Sequence, residues 1–403
     1  MASKSLVVGL TAVGLMGLGA AGTVHAGGTI AESVLEGKGS IDFRLRYENV
    51  DQDGADEKAD ALTLRTRLEY KTGDYKGAYA FVQMDDVTAI GDEDYNSTVN
   101  GNTEFPVVAD PTGTEVNQAY LAYKLNNTTF KYGRQEVVLD NARFVGNVGW
   151  RQNAQSYDAF TVVAKPMEGF GVVYGYVTNV NRIFGESSAN SDIDTKTHLL
   201  NLSYSGFDFA KISAYGYFLE LDDAPQASSK TIGVRLNGGM PLSDSMKLLY
   251  TAELADQSSY KDGDDSIDAG YQHLMLGLKA GGITAKIGYE VLEGDGDFGF
   301  STPLATLHAF NGWTDKFLGT PADGLIDTYI SIGGKVAGVK LMAVYHDFEA
   351  DNGGESYGSE TGFLVAKKIS KNYKLVGKYA SYSADDHSVD TDKLWLMAQA
   401  TFK

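Results

Sequence analysis

Three arginines are grouped in one stretch of the sequence, from Tyr132 to Phe160, together with an aspartate and a tryptophan. A guanidinium group offers five N–H donors in a planar fork, which suits bidentate binding of a carboxylate. The chain has a formal net charge of −19, so grouped arginines are unusual within it. We interpret the stretch as the place where strand ends and an inward loop hold guanidinium groups over a channel. The residues concerned are Arg134, Asp140, Arg143, Trp150 and Arg151.

Further cationic side chains are predicted to line the same channel. The segments Gly39–Val50 and Asp60–Lys71 alternate between apolar and polar residues with a period of two, as strands with one apolar face do. Two later strands place one basic residue each opposite an apolar face. An open alternative is that these groups only form ion pairs that stiffen the wall. The predicted lumen cations are Arg44, Arg46, Arg65, Arg67, Arg235 and Lys286; acidic residues on the same faces include Asp42, Glu48, Glu69 and Glu290.

Short and long connections alternate along the whole chain. Short turns are predicted at Asn126–Asn127, Asn237–Ser243 and Gly281–Gly282, among other places, and long loops at Thr88–Glu115 and Glu293–Leu325, among others. Outer-membrane barrels have short periplasmic turns and long extracellular loops. The pattern therefore predicts an all-β protein: one transmembrane antiparallel up-and-down β-barrel of about 18 strands, although the boundaries also allow about 16. A β-helix is disfavoured because the sequence has no short fixed repeat.

The first residues have the pattern of a secretory signal. Lys4 precedes an apolar run, and Val24-His25-Ala26 ends it with short residues at the cleavage positions. We predict a signal peptide at 1–26 and a single barrel domain at 27–403. The 403 residues contain no cysteine, so an exported chain has no disulfide framework. These features predict a bacterial outer-membrane location, with lipid and lipopolysaccharide as partners.

The sequence contains little that indicates catalysis or cofactor binding. Asp385-Asp386-His387 sits in a predicted outer loop, but proteases with such groups use barrels of fewer strands. No G-x-S-x-G or H-E-x-x-H motif is present. The acidic loop that starts at Asp262 has Ile267 and His273 where an EF-hand needs glycine and glutamate. We therefore expect no catalytic residue, no metal site and no cofactor, and the acidic charge argues against nucleic acid as a partner.

The stretch from Gly133 to Phe160 resembles the alginate export family of outer-membrane barrels. That family carries a GRQ at a strand top and an acidic residue and an Arg-Phe pair in the following loop. A Trp-Arg-Gln then follows, and a Tyr/Phe-Asp-Ala opens the next strand. The resemblance implies a barrel of similar strand number whose arginine-rich lumen selects uronate polyanions. The matching residues are Gly133-Arg134-Gln135, Asp140, Arg143-Phe144, Trp150-Arg151-Gln152 and Tyr157-Asp158-Ala159.

Two functions are compatible with these observations. The first is a channel for passive transport of small or polymeric anionic solutes, such as a uronate, a sugar acid or an organic acid, through an arginine-lined lumen. The second is a general diffusion porin or a structural surface barrel without strong anion selectivity, which acidic loops would make mildly cation-selective. The sequence leaves the oligomeric state open.

Overall fold

The computed structural model describes residues 28–403, so the predicted signal peptide lies outside the described residues. The described chain forms one 18-stranded antiparallel sheet, and β1 pairs with β18 over Ile41–Gln52, which closes it into a barrel. This confirms the predicted fold and the higher strand number. The strands are β1 Lys38–Gln52, β2 Ala59–Lys71, β3 Ala78–Ala89, β4 Gly113–Leu125, β5 Thr128–Gln135, β6 Ser156–Ala164, β7 Phe170–Asn181, β8 Asp192–Tyr204, β9 Ala210–Leu219, β10 Ser229–Ser243, β11 Met246–Ser259, β12 Asp268–Ala280, β13 Ile283–Leu292, β14 Leu325–Val336, β15 Val339–Glu349, β16 Ser356–Lys368, β17 Tyr373–Ala384 and β18 Thr391–Phe402.

Helical structure is confined to short pieces of the described chain. The helix α1, Ile30–Leu35, is capped at Thr29, and Ser33 Oγ donates to the carbonyl of Gly73 in the turn between β2 and β3. Two single 3₁₀ turns, Pro225–Ala227 and Leu307–Ala309, lie in long loops. Within residues 28–403, no helix is long and apolar enough to span a membrane.

One predicted turn is wrong. The segment Asn237–Ser243 continues strand β10, and the turn is the two-residue connection 244–245. Gly238 and Gly239 suggested a turn, but both pair with β11 in regular register. The register shifts only after Pro241, where a β-bulge accommodates a residue that has no N–H to donate to the ladder.

The two faces of the wall differ as the alternation predicts. On β10, Ile232 and Val234 are 54% and 46% exposed on the outer face, whereas Arg235, the next residue along the strand, is 8% exposed on the inward face. Leu276, Ile287, Ile330 and Leu396 belong to the same outward apolar belt. A closed barrel pairs all its strand edges, so an apolar belt of this kind can face lipid without unpaired backbone groups.

The hydrophobic core lies inside the barrel, where two long loops fold into the lumen. We call them the first inward loop (136–155) and the second inward loop (293–324). They are joined by backbone hydrogen bonds, from Gly146 N to Leu304 O at 2.8 Å and from Thr306 N to Ala142 O at 3.0 Å. A Cβ on Gly146 would come within 2.1 Å of Thr306 Oγ1, so this approach requires glycine. Phe144 packs on Tyr215, Tyr271 and Phe300, which ties both loops to the wall.

Candidate functional site

The predicted lumen arginines of β1 contact the first inward loop. Arg44 Nη1 donates to the carbonyl oxygens of Gly149 and Arg151 at 3.2 and 3.1 Å. Arg46 Nη1 donates to Trp150 O at 2.5 Å, and its guanidinium lies 4.7 Å from the centre of the Trp150 ring. These contacts hold the loop against the wall because arginine donors satisfy carbonyls that a loop in the lumen would otherwise leave unpaired.

Most of the predicted arginines have carboxylate partners. Arg67 makes a bidentate pair with Asp85, both bonds at 2.6 Å. The other pairs join Arg46 to Glu48 at 2.6 Å, Arg65 to Asp42 at 2.7 Å, Arg151 to Glu48 and Asp315 at 3.0 and 3.1 Å, and Arg235 to Glu253. These side chains are nearly all buried. Neighbouring carboxylates therefore largely neutralise the charge of these arginines, Arg46, Arg65, Arg67, Arg151 and Arg235, which we call the arginine ladder.

Arg44 differs from its neighbours on the wall. Among residues 28–403 its guanidinium has no carboxylate within salt-bridge distance, although Arg65 is its direct register partner on β2. Its recorded partners are backbone carbonyls of the first inward loop. Lys286, the other predicted cation on the inward face, likewise has no carboxylate partner in the described part of the chain. Among residues 28–403, neither side chain therefore has a carboxylate at salt-bridge distance to offset a positive charge.

Arg143 joins the two inward loops to the wall. Its Nε donates to Glu290 on β13 at 2.8 Å, and its Nη2 donates to Asn311 of the second inward loop at 3.0 Å. Burial alone would lower the pKa of Arg143, but the Glu290 carboxylate beside it raises that pKa above its ordinary value. Asp140 lies three residues before Arg143 in the sequence but is not its partner. In the structure Asp140 instead binds Lys211 at 2.9 Å, and Lys211 with neighbouring donors lowers its pKa despite burial.

The structure places Arg134 away from the lumen, which differs from the expectation of a position at the constriction. In the β4–β5 register, Tyr132 pairs with Leu121 and Arg134 with Ala119. Tyr132 and Leu121 are 73% and 67% exposed on the outer face, so Arg134, two residues further along, shares that face. It forms a bidentate pair with Asp158 at 2.9 and 3.2 Å. This arginine therefore stabilises the outer surface near the long loops.

A cluster of aromatic rings around one lysine was not predicted from the sequence. The chain's three tryptophans surround Lys378, whose Nζ lies 4.4, 3.9 and 5.2 Å from the ring centres of Trp150, Trp313 and Trp395. Trp150 and Trp313 belong to the two inward loops and Trp395 to β18. We call these residues, with His308, the tryptophan cluster. Only the alternation of β17 and β18 signalled it, because it places Lys378 and Trp395 on the inward face.

His308 lies at the centre of the tryptophan cluster and links it to the ion pairs. Lys378 Nζ lies 2.7 Å from His308 Nε2, and His308 Nδ1 lies 2.6 Å from Asp315 Oδ1. An ammonium group can only donate, so Nε2 accepts, and the neutral ring donates from Nδ1 to the Asp315 carboxylate. Burial lowers the pKa of His308 to about 3. Within residues 28–403, no group of three or more acidic or histidine side chains could hold a metal ion.

The sequence and the structure both match known proteins. The family model described as alginate export matches residues 39–291. No curated protein sequence matches significantly. Among solved structures, OccK9 (OpdG) of Pseudomonas aeruginosa matches with a TM-score of 0.73 and 14% identity, covering 92% of this chain and 99% of its own. OccAB4 of Acinetobacter baumannii matches with a TM-score of 0.71 and 16% identity, covering 91% and 98%. At these identities the structural matches establish the fold alone.

Proposed function

Because the chain belongs to the alginate export family of outer-membrane β-barrel channels, we propose that it conducts small anionic solutes passively, with uronates, sugar acids or organic acids as the substrate class. The barrel lies in the bacterial outer membrane, and its apolar outer belt contacts lipid. Two loops folded into the lumen favour small solutes over polymers, because they leave less cross-section for a chain to thread. We also propose contact with lipopolysaccharide around the long-loop rim.

The observation that carries this proposal is the state of Arg44. Its guanidinium is on the inward face of β1, has no carboxylate partner among the described residues, and uses carbonyl oxygens as its partners. A carboxylate that reaches it gains a charge-assisted hydrogen bond without displacing an existing ion pair. In a narrow lumen with low-dielectric walls, one uncompensated charge acts on a passing ion more strongly than it does in bulk water.

A second candidate function is supported by the paired arginines. Since Arg46, Arg65, Arg67, Arg151 and Arg235 are all neutralised by nearby carboxylates, they add little net field to the lumen. The loops at the long-loop end are also rich in acidic residues, for example at 262–265. A barrel of this kind would conduct as a general diffusion porin with weak or mildly cationic preference.

The reversal potential across a planar bilayer distinguishes the two functions. With the purified barrel in a bilayer between unequal potassium chloride solutions, we expect a reversal potential of the sign that preferential chloride permeation gives. We also expect D-glucuronate to block the current saturably. Arg44→Gln should move the reversal potential toward potassium. Arg134→Gln removes the same charge from the outer face and serves as the control, with no expected change. A wild-type reversal potential near zero, without block by glucuronate, would support the general porin instead.

A further inference from the structure

Three lysines surround a group of aromatic rings on the inner wall of β2–β5, near the short turns. We propose that they form a binding site for a carboxylated sugar. A uronate that enters the barrel from the periplasmic side would bind at this site first. The inference rests on the proposed anion channel and adds a place where the solute binds. The site, which we call the lysine–aromatic site, consists of Lys71, Lys124, Lys131, Tyr79, Phe81 and Tyr120.

The register of four consecutive strands places all six side chains on the inward face. Lys71 pairs with Phe81 across β2–β3, and Ala122 pairs with both Tyr79 and Lys131. The residues that alternate with them point outward: Leu121, Tyr123 and Tyr132 are 67%, 45% and 73% exposed. Since successive side chains of a strand point to opposite faces, the lysines and rings share the lumen side.

The lysines are held by rings instead of carboxylates. Lys71 Nζ lies 4.2 Å and Lys124 Nζ 5.5 Å from the centre of the Tyr79 ring, and Lys131 Nζ lies 4.7 Å from the centre of the Tyr120 ring. Within the described part of the chain, none of the three has a carboxylate at salt-bridge distance. The nearby Asp74 carboxylate accepts instead from the backbone N–H of Gly77 at 2.7 Å.

This arrangement contrasts with the arginine ladder above it. An incoming carboxylate must displace Asp42 or Asp85 from an ion pair in order to bind Arg65 or Arg67. At the lysine–aromatic site it displaces only a contact between an ammonium group and a ring face. A cation–π contact at an exposed site is weaker than a hydrogen-bonded pair of opposite charges in a lumen. The site therefore offers three cations that are positioned but not neutralised.

The rings define the chemical class of the ligand. The ring centres of Tyr79 and Tyr120 lie 6.4 Å apart edge to face, and that of Phe81 lies 5.3 Å from that of Tyr120, so the three rings form one apolar group beside the ammonium groups. A sugar acid has an apolar C–H face that packs on such rings and a carboxylate that the lysines bind. A neutral sugar lacks the charge, and a small inorganic anion lacks the apolar face.

The position of the lysine–aromatic site indicates that it lies at the periplasmic end of the barrel. Short turns of outer-membrane barrels face the periplasm, and the site lies beside the turns at 72–77 and 126–127. Other lysines without a described carboxylate partner, Lys335, Lys340 and Lys374, lie at the same end, whereas the long loops are acidic. An anion approaching from the periplasm is attracted, and one approaching from outside is first repelled.

Calorimetric titration of the barrel in detergent with D-glucuronate tests the site. The triple variant Lys71→Gln/Lys124→Gln/Lys131→Gln should lose about tenfold in affinity, which is the size expected for two or three partly exposed charge contacts. Its control, Lys58→Gln/Lys196→Gln/Lys261→Gln, removes equal charge from the long-loop end of the barrel, where each lysine already has a carboxylate partner. The control should bind glucuronate as the wild type does, and D-glucose should bind to none of them.

The outcomes separate this inference from the proposed function. If the wild type is anion-selective but the triple variant binds glucuronate with unchanged affinity, the lysine–aromatic site is refuted and the channel proposal stands. Tighter binding of benzoate than of glucuronate would refute the assignment to a sugar acid. If the triple variant fails to fold, as judged by heat-modifiable migration on gels, the single variant Lys131→Gln answers the same question with a smaller loss. In bilayers, glucuronate added on the short-turn side should block the ion current more strongly than glucuronate added on the long-loop side. Equal block from both sides would refute the assignment of the site to the periplasmic end.

Discussion

Replacement of Arg143 by methionine should release the inward loops from the wall. The side chain is 1% exposed and donates to Glu290 on β13, Thr302 and Asn311 in the structure. Methionine keeps much of the apolar stem but none of the donors. The change therefore leaves the Glu290 carboxylate buried without its cationic partner.

The magnitude follows from what remains around Glu290. Removal of one partner of a buried ion pair costs about 3–5 kcal/mol. We expect the lower end, about 3 kcal/mol, because Glu290 keeps hydrogen bonds from Tyr271 at 2.6 Å and from Asn311 at 2.7 Å. Since each 1.4 kcal/mol is a factor of ten in an equilibrium constant, the population of released loops should rise about a hundredfold.

Tryptophan fluorescence reports this release directly. All three tryptophans of the chain belong to the tryptophan cluster, and two of them, Trp150 and Trp313, are on the loops that Arg143 joins. Release exposes their rings to water, so the emission should shift to longer wavelength while single-channel conductance and current noise rise. In the double variant Arg143→Met/Glu290→Gln the buried charge is gone, and we expect recovery of about half of the lost free energy, within the range of 0.5–3 kcal/mol for coupled neighbours.

Arg235→Met is the matched control. Arg235 forms a buried pair with Glu253 that joins β10 to β11 within the wall, and among residues 28–403 Arg235 makes no ion pair or hydrogen bond to either inward loop. This variant should lower the stability of the barrel without a shift in tryptophan emission. If Arg143→Met and Arg235→Met change the tryptophan emission and the single-channel conductance equally, Arg143 does not anchor the inward loops.

Three further predictions concern charge, pH and topology. Arg65→Ala/Arg67→Ala should shift the reversal potential toward cations, because Asp42 and Asp85 lose their partners and keep their charge; an unaltered potential in a folded variant would contradict anion selectivity. Because burial lowers the pKa of His308 to about 3, against about 6.5 in an unfolded chain, the unfolded state binds the proton first and stability falls with pH from about 6.5 downward. The loss should reach about 2 kcal/mol at pH 5, and His308→Gln should abolish this part of the pH dependence measured by tryptophan emission. An epitope tag within 262–268 should be accessible to antibody on intact cells and a tag at 281–282 should not; surface labelling at 281–282 would contradict the orientation of the barrel.

The barrel could be predicted because its rules act over a few residues. Period-two alternation assigns each side chain to the lumen or to lipid. It therefore places Arg235 on the face opposite the exposed Ile232 and Val234, and Lys286 on the face opposite the exposed Ile287. The alternation did not predict that β10 extends to Ser243, because Gly238 and Gly239 resemble a turn although they continue the strand. A short-range pattern therefore predicts which face a residue occupies better than where a strand ends.

The partners of the cations could not be predicted, because they depend on contacts between distant parts of the chain. Arg143 meets Glu290 only because the first inward loop crosses the lumen to β13, and Asp140, three residues away from Arg143 in sequence, binds Lys211 on β9 instead. The tryptophan cluster likewise combines residues from both inward loops with β17 and β18. The spacing of residues along the sequence does not predict these long-range contacts, because they depend on the path that the inward loops take through the lumen.

The proposed anion attraction and the anchoring of the inward loops therefore involve different residues of this barrel. Arg46 fixes the first inward loop well, since its planar fork donates to the Glu48 carboxylate and to the Trp150 carbonyl together, but the same ion pair offsets its field on passing ions. Lysines near the short turns contact rings and keep their charge. The paired arginines in the lumen are thus evidence for anchored inward loops. In the anion channel that we propose, selectivity would follow instead from the cations without a carboxylate partner among residues 28–403, which are Arg44 and the lysines near the short turns.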